Sequence, residues 1–274
     1  MNMKKILFIF CSAILLASCE EPYMQLFETK STNTKLENEY YVYENETIKI
    51  TYLFWHDRGL MSFSVFNKLE TPVYIDWSKS CFISNSSKMN YWFDKSYFAS
   101  NAYFGEHYYK GPIAAPGYNV DEYIGVANST EAQVYEKSTF IAPKSTYYRS
   151  QFHFWPYKFL KLDHSKYEDV VCNEDDKKKT RIYSAEFDRN NTPLVFRNYL
   201  AVSKSEKLDD VSFIDNEFYV TSAKAMYVGH ALGKHIKQNE KGQHVFAQPY
   251  KKNTSFYVLQ YDLFNIEGIF HDRK

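Results

Sequence analysis

The sequence predicts an all-β sandwich, and three observations predict it. Tyr (25) and Phe (22) are abundant among the 274 residues, while Gly (9) and Pro (8) are sparse. Aromatic side chains of this kind favour strands over helices and suit a large aromatic core. Several segments alternate apolar and polar residues with a period of two, as half-buried strands do. Turn-forming residues separate these short segments, the pattern of a two-sheet sandwich.

The segment Thr47 to Phe54 alternates cleanly. Ile48, Ile50, Tyr52 and Phe54 share one face, and Thr47, Lys49 and Thr51 share the other. His56-Asp57-Arg58-Gly59 reads as a turn with Gly at its end. The next strand carries Phe63 and Val65, so the pair forms a hairpin. Asn67 to Pro72 is a polar turn. Pro72 opens the following strand, where its missing N–H is tolerated. In that strand Val73, Ile75 and Trp77 face one way, while Tyr74 and Asp76 face the other. Asp76 is expected at the solvent side, capping the next turn or pairing with Lys79, and Trp77 is expected in the core. Cys81-Phe82-Ile83 resumes after Ser78-Lys79-Ser80.

Residues 86–136 hold aromatic pairs in a polar background with no clear period. A stretch of this length without elements is expected to be a long insertion at one edge. Thr139 to Ala142 and Tyr147 to Tyr157 read as strands. Glu174-Asp175-Asp176-Lys177-Lys178-Lys179 reads as an exposed loop whose charges compensate one another. Leu194 to Val202 alternates, with Leu194, Phe196, Leu200 and Val202 opposed to Arg197 and Tyr199. Val211 to Val220 is expected to be a strand pair turning at Asp215-Asn216. Ala223 to Lys237 fits either a short helix or a strand with a loop. Phe256 to Phe264 closes the domain, with Phe256 and Val258 opposed to Tyr257 and Leu259.

At the N-terminus Lys4 and Lys5 precede a run from Ile6 to Leu16 that is apolar except for Ser12. The run is too short for a spanning helix, which needs about 20 residues, and has the layout of a secretory signal. The small residues Ala17-Ser18 then lead into Cys19, and the stretch Leu16-Ala17-Ser18-Cys19 resembles a bacterial lipobox. The resemblance implies lipid on the Cys19 sulfur, cleavage before Cys19 and acylation of the new N-terminus. More than one acyl chain is what a stable anchor requires. Glu20-Glu21 resembles the acidic start that sends some lipoproteins to the cell surface, and it equally suits a plain linker. Residues 1–18 are thus expected to be a signal peptide, 19–36 a lipidated flexible tether, and 37–274 the sandwich domain.

A second resemblance lies in the body. Phe66-Asn67-Lys68 and Pro72-Val73-Tyr74-Ile75-Asp76-Trp77-Ser78-Lys79-Ser80, with Phe196-Arg197-Asn198-Tyr199-Leu200 and Glu217-Phe218-Tyr219-Val220, are similar to segments of exported lipoproteins of unknown function. That resemblance implies an immunoglobulin-like sandwich and no activity.

Charge narrows the partners. The chain carries 33 basic and 33 acidic side chains. Removal of residues 1–18 takes away Lys4 and Lys5 and no acid, leaving 31 against 33, or −2. A near-neutral chain without a basic patch is not expected to bind nucleic acid. Of four cysteines, Cys11 leaves with the signal and Cys19 carries lipid. Cys81 and Cys172 then form a disulfide in an oxidising compartment or stay as buried thiols, and the sequence leaves both open.

Catalytic patterns are missing: no Gly-x-Ser-x-Gly elbow, His-Glu-x-x-His pair, Cys-x-x-Cys or Gly-rich phosphate loop occurs. His230 and His235 are too awkwardly spaced to meet on a helix or strand, so no metal site or cofactor is expected. Asp57 beside His56 is read as part of the turn. The ligand-site candidates are Tyr91, Trp92, Tyr97, Tyr103 and Tyr108, as an exposed stacking surface or, alternatively, a satellite core. The expected protein is a non-enzymatic binding module, lipid-anchored at the outer membrane or cell surface, taking a glycan or an envelope protein. The alternatives are an envelope hydrolase whose site is hidden in sequence and a structural subunit of a surface assembly.

Overall fold

A computed structural model of the chain describes residues 23–92, 136–156, 159–163, 165–171, 179–239 and 244–259. The first strands are β1 (Tyr23–Ser31), β2 (Lys35–Glu37), β3 (Tyr40–Glu44), β4 (Ile48–Leu53) and β5 (Leu60–Asn67). There follow β6 (Val73–Ser84), β7 (Ser87–Asn90), β8 (Ser138–Ile141), β9 (Thr146–His153), β10 (Tyr167–Val171) and β11 (Lys179–Glu186). The last part holds β12 (Val195–Ser203), β13 (Ser212–Tyr227), helix α1 (Val228–Leu232), β14 (His235–Gln238), β15 (His244–Phe246) and β16 (Ser255–Leu259).

Among the described residues these strands form a nine-stranded and a five-stranded sheet, with β14–β15 as a separate pair. The larger sheet runs β10-β11-β13-β12-β6-β7; β1 joins β13, β16 joins β1, and β8 joins β6. The smaller runs β2-β3-β4-β5-β9. Every ladder between these strands is antiparallel. The all-β sandwich expected from the sequence holds as two sheets face to face. It has more strands than the roughly seven to nine of an immunoglobulin domain. Of the expected insertion, Ser87–Asn90 closes a hairpin on β6, and residues 93–135 lie outside the described residues.

The core follows the alternation. Ile48, Ile50, Tyr52 and Phe54 are fully buried, as are Val73, Ile75 and Trp77, and Phe196 and Leu200 from β12. The two sheets meet through rings. Tyr52 of the smaller sheet meets Phe218 of the larger edge-on at 4.9 Å, and Phe154, just past β9, stacks on Phe196 at 4.4 Å; within the larger sheet Phe196 stacks on Phe218 at 5.3 Å. Each such side chain contributes about 1.5–3 kcal/mol by burial, and each ring pair about 0.5–1.5 kcal/mol more. The His56–Gly59 turn is confirmed, closed by Gly59 N–H donating to His56 O at 3.0 Å. Gly59 sits at φ +63°, and a Cβ there would come within 2.0 Å of the Phe154 ring.

Three expectations are corrected. The tether does not extend to residue 36, because Tyr23–Ser31 is β1, laddered to both β13 and β16. Residues Tyr23 to Phe27 are all buried, so β1 shows no alternation to read. Phe27 enters the main core, while Met24 and Leu26 lie under a second apolar cluster with Ile182, Met226 and Val228. Gln25 is buried as well, and its amide exchanges two 2.7 Å hydrogen bonds with the Leu160 backbone. Next, Val211 to Val220 is no strand pair: β13 runs unbroken for 16 residues through Asp215 and Asn216. Its first half pairs with β12, and its second half lies between β1 and β11. Finally, Asp76 does not face solvent; it is 2 % exposed. It does cap the next turn, accepting from Ser78 N–H at 3.0 Å, and it pairs with Lys79 Nζ at 3.1 Å. Burial would raise its carboxyl, but hydrogen bonds from Ser78 and Lys79 outweigh that and hold it below the usual carboxylate range.

Candidate functional site

Of the aromatic candidates, Tyr91 is corrected from a stacking platform to a core residue, since it is 0 % exposed. Its N–H donates to Ser80 O at 3.4 Å, which draws the chain inward after β7. Its hydroxyl donates to Asn198 Oδ1 at 2.8 Å. Asn198 Nδ2 and Asn216 Nδ2 donate in turn to the Tyr52 hydroxyl, at 3.1 and 2.9 Å. Burial is the main reason the Tyr52 and Tyr91 hydroxyls stay protonated far above the usual phenol range. Arg149 is sandwiched beside them, its guanidinium 4.0 Å from the Trp77 ring and 5.0 Å from the Tyr91 ring. This network is a polar rivet through the core. Trp92 is half-buried with Lys137 Nζ 5.7 Å from its ring, while Tyr97, Tyr103 and Tyr108 lie outside the described residues.

Cys81 is a buried free thiol, one of the two alternatives left open by the sequence, and burial pushes its pKa up. Cys172 and Cys19, the expected site of lipid attachment, lie outside the described residues.

His56 and His153 meet at one corner, with ring centroids 5.1 Å apart. The Nδ1 atom of His56 bonds Asp57 O at 2.8 Å, and that of His153 bonds Gly59 O at 2.9 Å. Both Nδ1 atoms are donors, because a carbonyl only accepts. Burial, then the charges of Arg58 and His56, press the His153 pKa down to about 4. The Asp57 carboxylate accepts from Leu259 N–H at 3.1 Å. The corner is therefore a fixed turn, as the sequence suggested.

The outer face of the larger sheet carries a different arrangement. Tyr199 and Phe213 stack at 5.3 Å with their planes 22° apart. Phe213 is 53 % exposed. Beside them Arg197 forms a two-pronged pair with Asp215, and Arg189 grips Glu217 at 2.9 and 3.0 Å. Flat rings bordered by paired charges offer a stacking surface with hydrogen-bonding groups around it. Sequence reading placed Tyr199 outward but missed Phe213, because the false turn at Asp215-Asn216 hid the β12–β13 register.

At the other end of β13, Tyr23 pairs with Tyr227, where the chain enters α1 and then the β14–β15 hairpin. His230 and His235 have different partners. His230 Nε2 lies 2.9 Å from the Tyr250 hydroxyl, and His235 instead meets His244, Nε2 to Nδ1, at 3.0 Å. A hollow of about 250 Å³ lies between the sheet and residues 249–252, lined by Leu26, Lys224, Tyr250 and Ser255 among others. Glu28 and Lys252 pair at its rim at 2.6 Å. Among the described residues no helix is long and apolar enough to cross a membrane, and no three His, Cys, Asp or Glu side chains converge as a metal group.

No family model, curated protein or solved structure matches the chain.

Proposed function

We propose that this protein is a lipid-anchored, non-enzymatic binding module of the bacterial outer membrane or cell surface, whose Tyr199–Phe213 face takes a glycan. The observation that carries the reading is the placement of the two ends of β13. Tyr227 pairs with Tyr23, four residues after Cys19. Four residues reach at most about 14 Å, so acyl chains on Cys19 hold that end close to the headgroups. Phe213 lies 14 residues back along the same strand. At about 3.3 Å per residue it is up to about 45 Å away, turned toward the outside of the anchored body. The stacked rings suit the flat C–H face of a sugar, and the flanking Arg–carboxylate pairs suit its hydroxyls.

Two measurements test this. Replacing Cys19→Ala should abolish acyl labelling and release the protein from the membrane fraction; unchanged labelling rejects the anchor. On a glycan array, Phe213→Ala should lose the binding that the wild type shows. Retention by Phe213→Ala, with the fold intact, rejects this face. An envelope protein as ligand would appear as binding to purified envelope material with no array signal.

A further inference from the structure

We propose that the β14–β15 hairpin binds one divalent transition-metal ion, Cu2+, Ni2+ or Zn2+, through His235 Nε2 and His244 Nδ1. The inference is independent of the lipid anchor and of the glycan-binding face.

The register explains how the two imidazoles come together. Gln238 pairs with His244 and Lys237 with Val245, but His235 pairs with Phe246, one residue out of step. A continuous ladder would put His235 on the face opposite His244, because side chains alternate. The bulge at Ile236 cancels that alternation, so His235, Gln238, His244 and Phe246 share one face. The contacts agree. The two imidazoles lie 4.9 Å apart in an edge-to-face arrangement, and Phe246 backs His235 at 5.6 Å and His244 at 6.4 Å. Both histidines are exposed, so an ion reaches them without rearrangement of the core.

The spacing fits a chelate. Two nitrogens each about 2.0–2.1 Å from an ion, at angles between square and tetrahedral, stand roughly 2.8–3.4 Å apart. His235 Nε2 and His244 Nδ1 are 3.0 Å apart. Without metal, the same two atoms share one hydrogen bond. On binding, the proton on His244 Nδ1 moves to Nε2, so that each ligand nitrogen offers a lone pair and the imidazole stays neutral. Gln238 Nε2 stands 3.3 Å from His244 Nε2 and donates to it in the metal-free chain; once that nitrogen takes the proton, a flip of the Gln238 amide brings its oxygen round to accept it and fix the tautomer. Imidazole suits Cu2+, Ni2+ and Zn2+ rather than Ca2+ or Mg2+. Two protein ligands leave the remaining positions to water or to a donor from another molecule.

The test is a Cu2+ titration of the full-length protein in detergent, read by electron paramagnetic resonance and by competition with a chromophoric chelator. One Cu2+ per chain, with hyperfine structure from two imidazole nitrogens, is expected. The chain has eight histidines, so the assignment depends on variants. His235→Ala and His244→Ala should each weaken binding by well over tenfold, and Gln238→Leu by about tenfold. Thermal melts coincident with the wild type show that the fold is intact in the exposed variants. Affinity unchanged within about twofold in either histidine variant, or no Cu2+ taken up by the wild type, overturns the proposal.

Discussion

Removing one oxygen from the core tests the polar rivet most directly. Tyr52→Phe keeps the ring, which meets Phe54, Phe63 and Phe218, and deletes only the hydroxyl. That hydroxyl takes Nδ2 donors from Asn198 and Asn216, and Tyr52, Asn198 and Asn216 are each 0 % exposed. An orphaned buried donor costs about 1–3 kcal/mol, so two donors with some relaxation cost about 3 kcal/mol. For a domain of this size, 1 kcal/mol moves Tm by about 2–4 °C, giving a fall of roughly 6–12 °C. Tyr91→Phe strands only Asn198 Oδ1, and about half the loss is expected. Because both hydroxyls engage Asn198, the double variant should be non-additive by about 0.5 kcal/mol or more. Urea unfolding at constant m-value is the assay, with two probes compared to establish two-state behaviour. A Tyr52→Phe protein within about 0.5 kcal/mol of wild type would refute the reasoning, since a buried donor pair cannot lose its acceptor at no cost.

Gly59→Ala should destabilise by about 2–5 kcal/mol, because a Cβ at φ +63° meets the Phe154 ring and Phe154 is held by its stack on Phe196. Urea midpoints check this, and a loss under about 1 kcal/mol counts against the turn geometry. Stability should also fall on acidification from about pH 6.5 to pH 4. His153 is depressed to about 4 in the folded chain. Its ordinary value is about 6.5, so across that window the unfolded chain binds the proton first and gains from it. The contribution is whole above about pH 6.5 and gone below about pH 4, worth about 2–3 kcal/mol. His230, lowered by burial, acts in the same sense. His153→Gln should flatten most of the slope in urea midpoints measured across these pH values.

The sequence revealed those strands that have one wet face. The alternation around Tyr52 and Phe196 survives in β4 and β12 because each packs one side on the core there, whereas in β6 it breaks at Asp76, which is buried beside Ile75 and Trp77. Residues Tyr23 to Phe27 gave no such signal, since β1 is covered on both sides. Asp215-Asn216 imitated a turn by composition. In the fold, Asn216 turns inward to Tyr52 and Asp215 outward to Arg197, which is what a continuing strand requires. His235 and His244 were invisible as a pair for a related reason. They flank a polar, Gly-containing segment that could have signalled a hairpin, but only the bulge decides that they share a face.

The corrected start of the body changes what an anchor at Cys19 would do. A flexible coil through residue 36 would let every face of the sandwich sample the membrane and its surroundings. With β1 beginning at Tyr23 and laddered on both edges, an anchored Cys19 would lie only four positions from the sheet. Such a short link cannot invert a body whose longest strand spans 16 residues. The strand that receives β1 at one end presents Phe213 at the other, so with an anchor at Cys19 the orientation would be set by register as well as by the lipid. Inserting a flexible stretch of about 15 Gly and Ser residues between Pro22 and Tyr23 should therefore leave acylation intact but expose both ends of β13 equally to a membrane-impermeant label. In the unmodified chain, labelling at Phe213→Cys should far exceed labelling at Tyr227→Cys, and equal labelling there would remove the orientation argument.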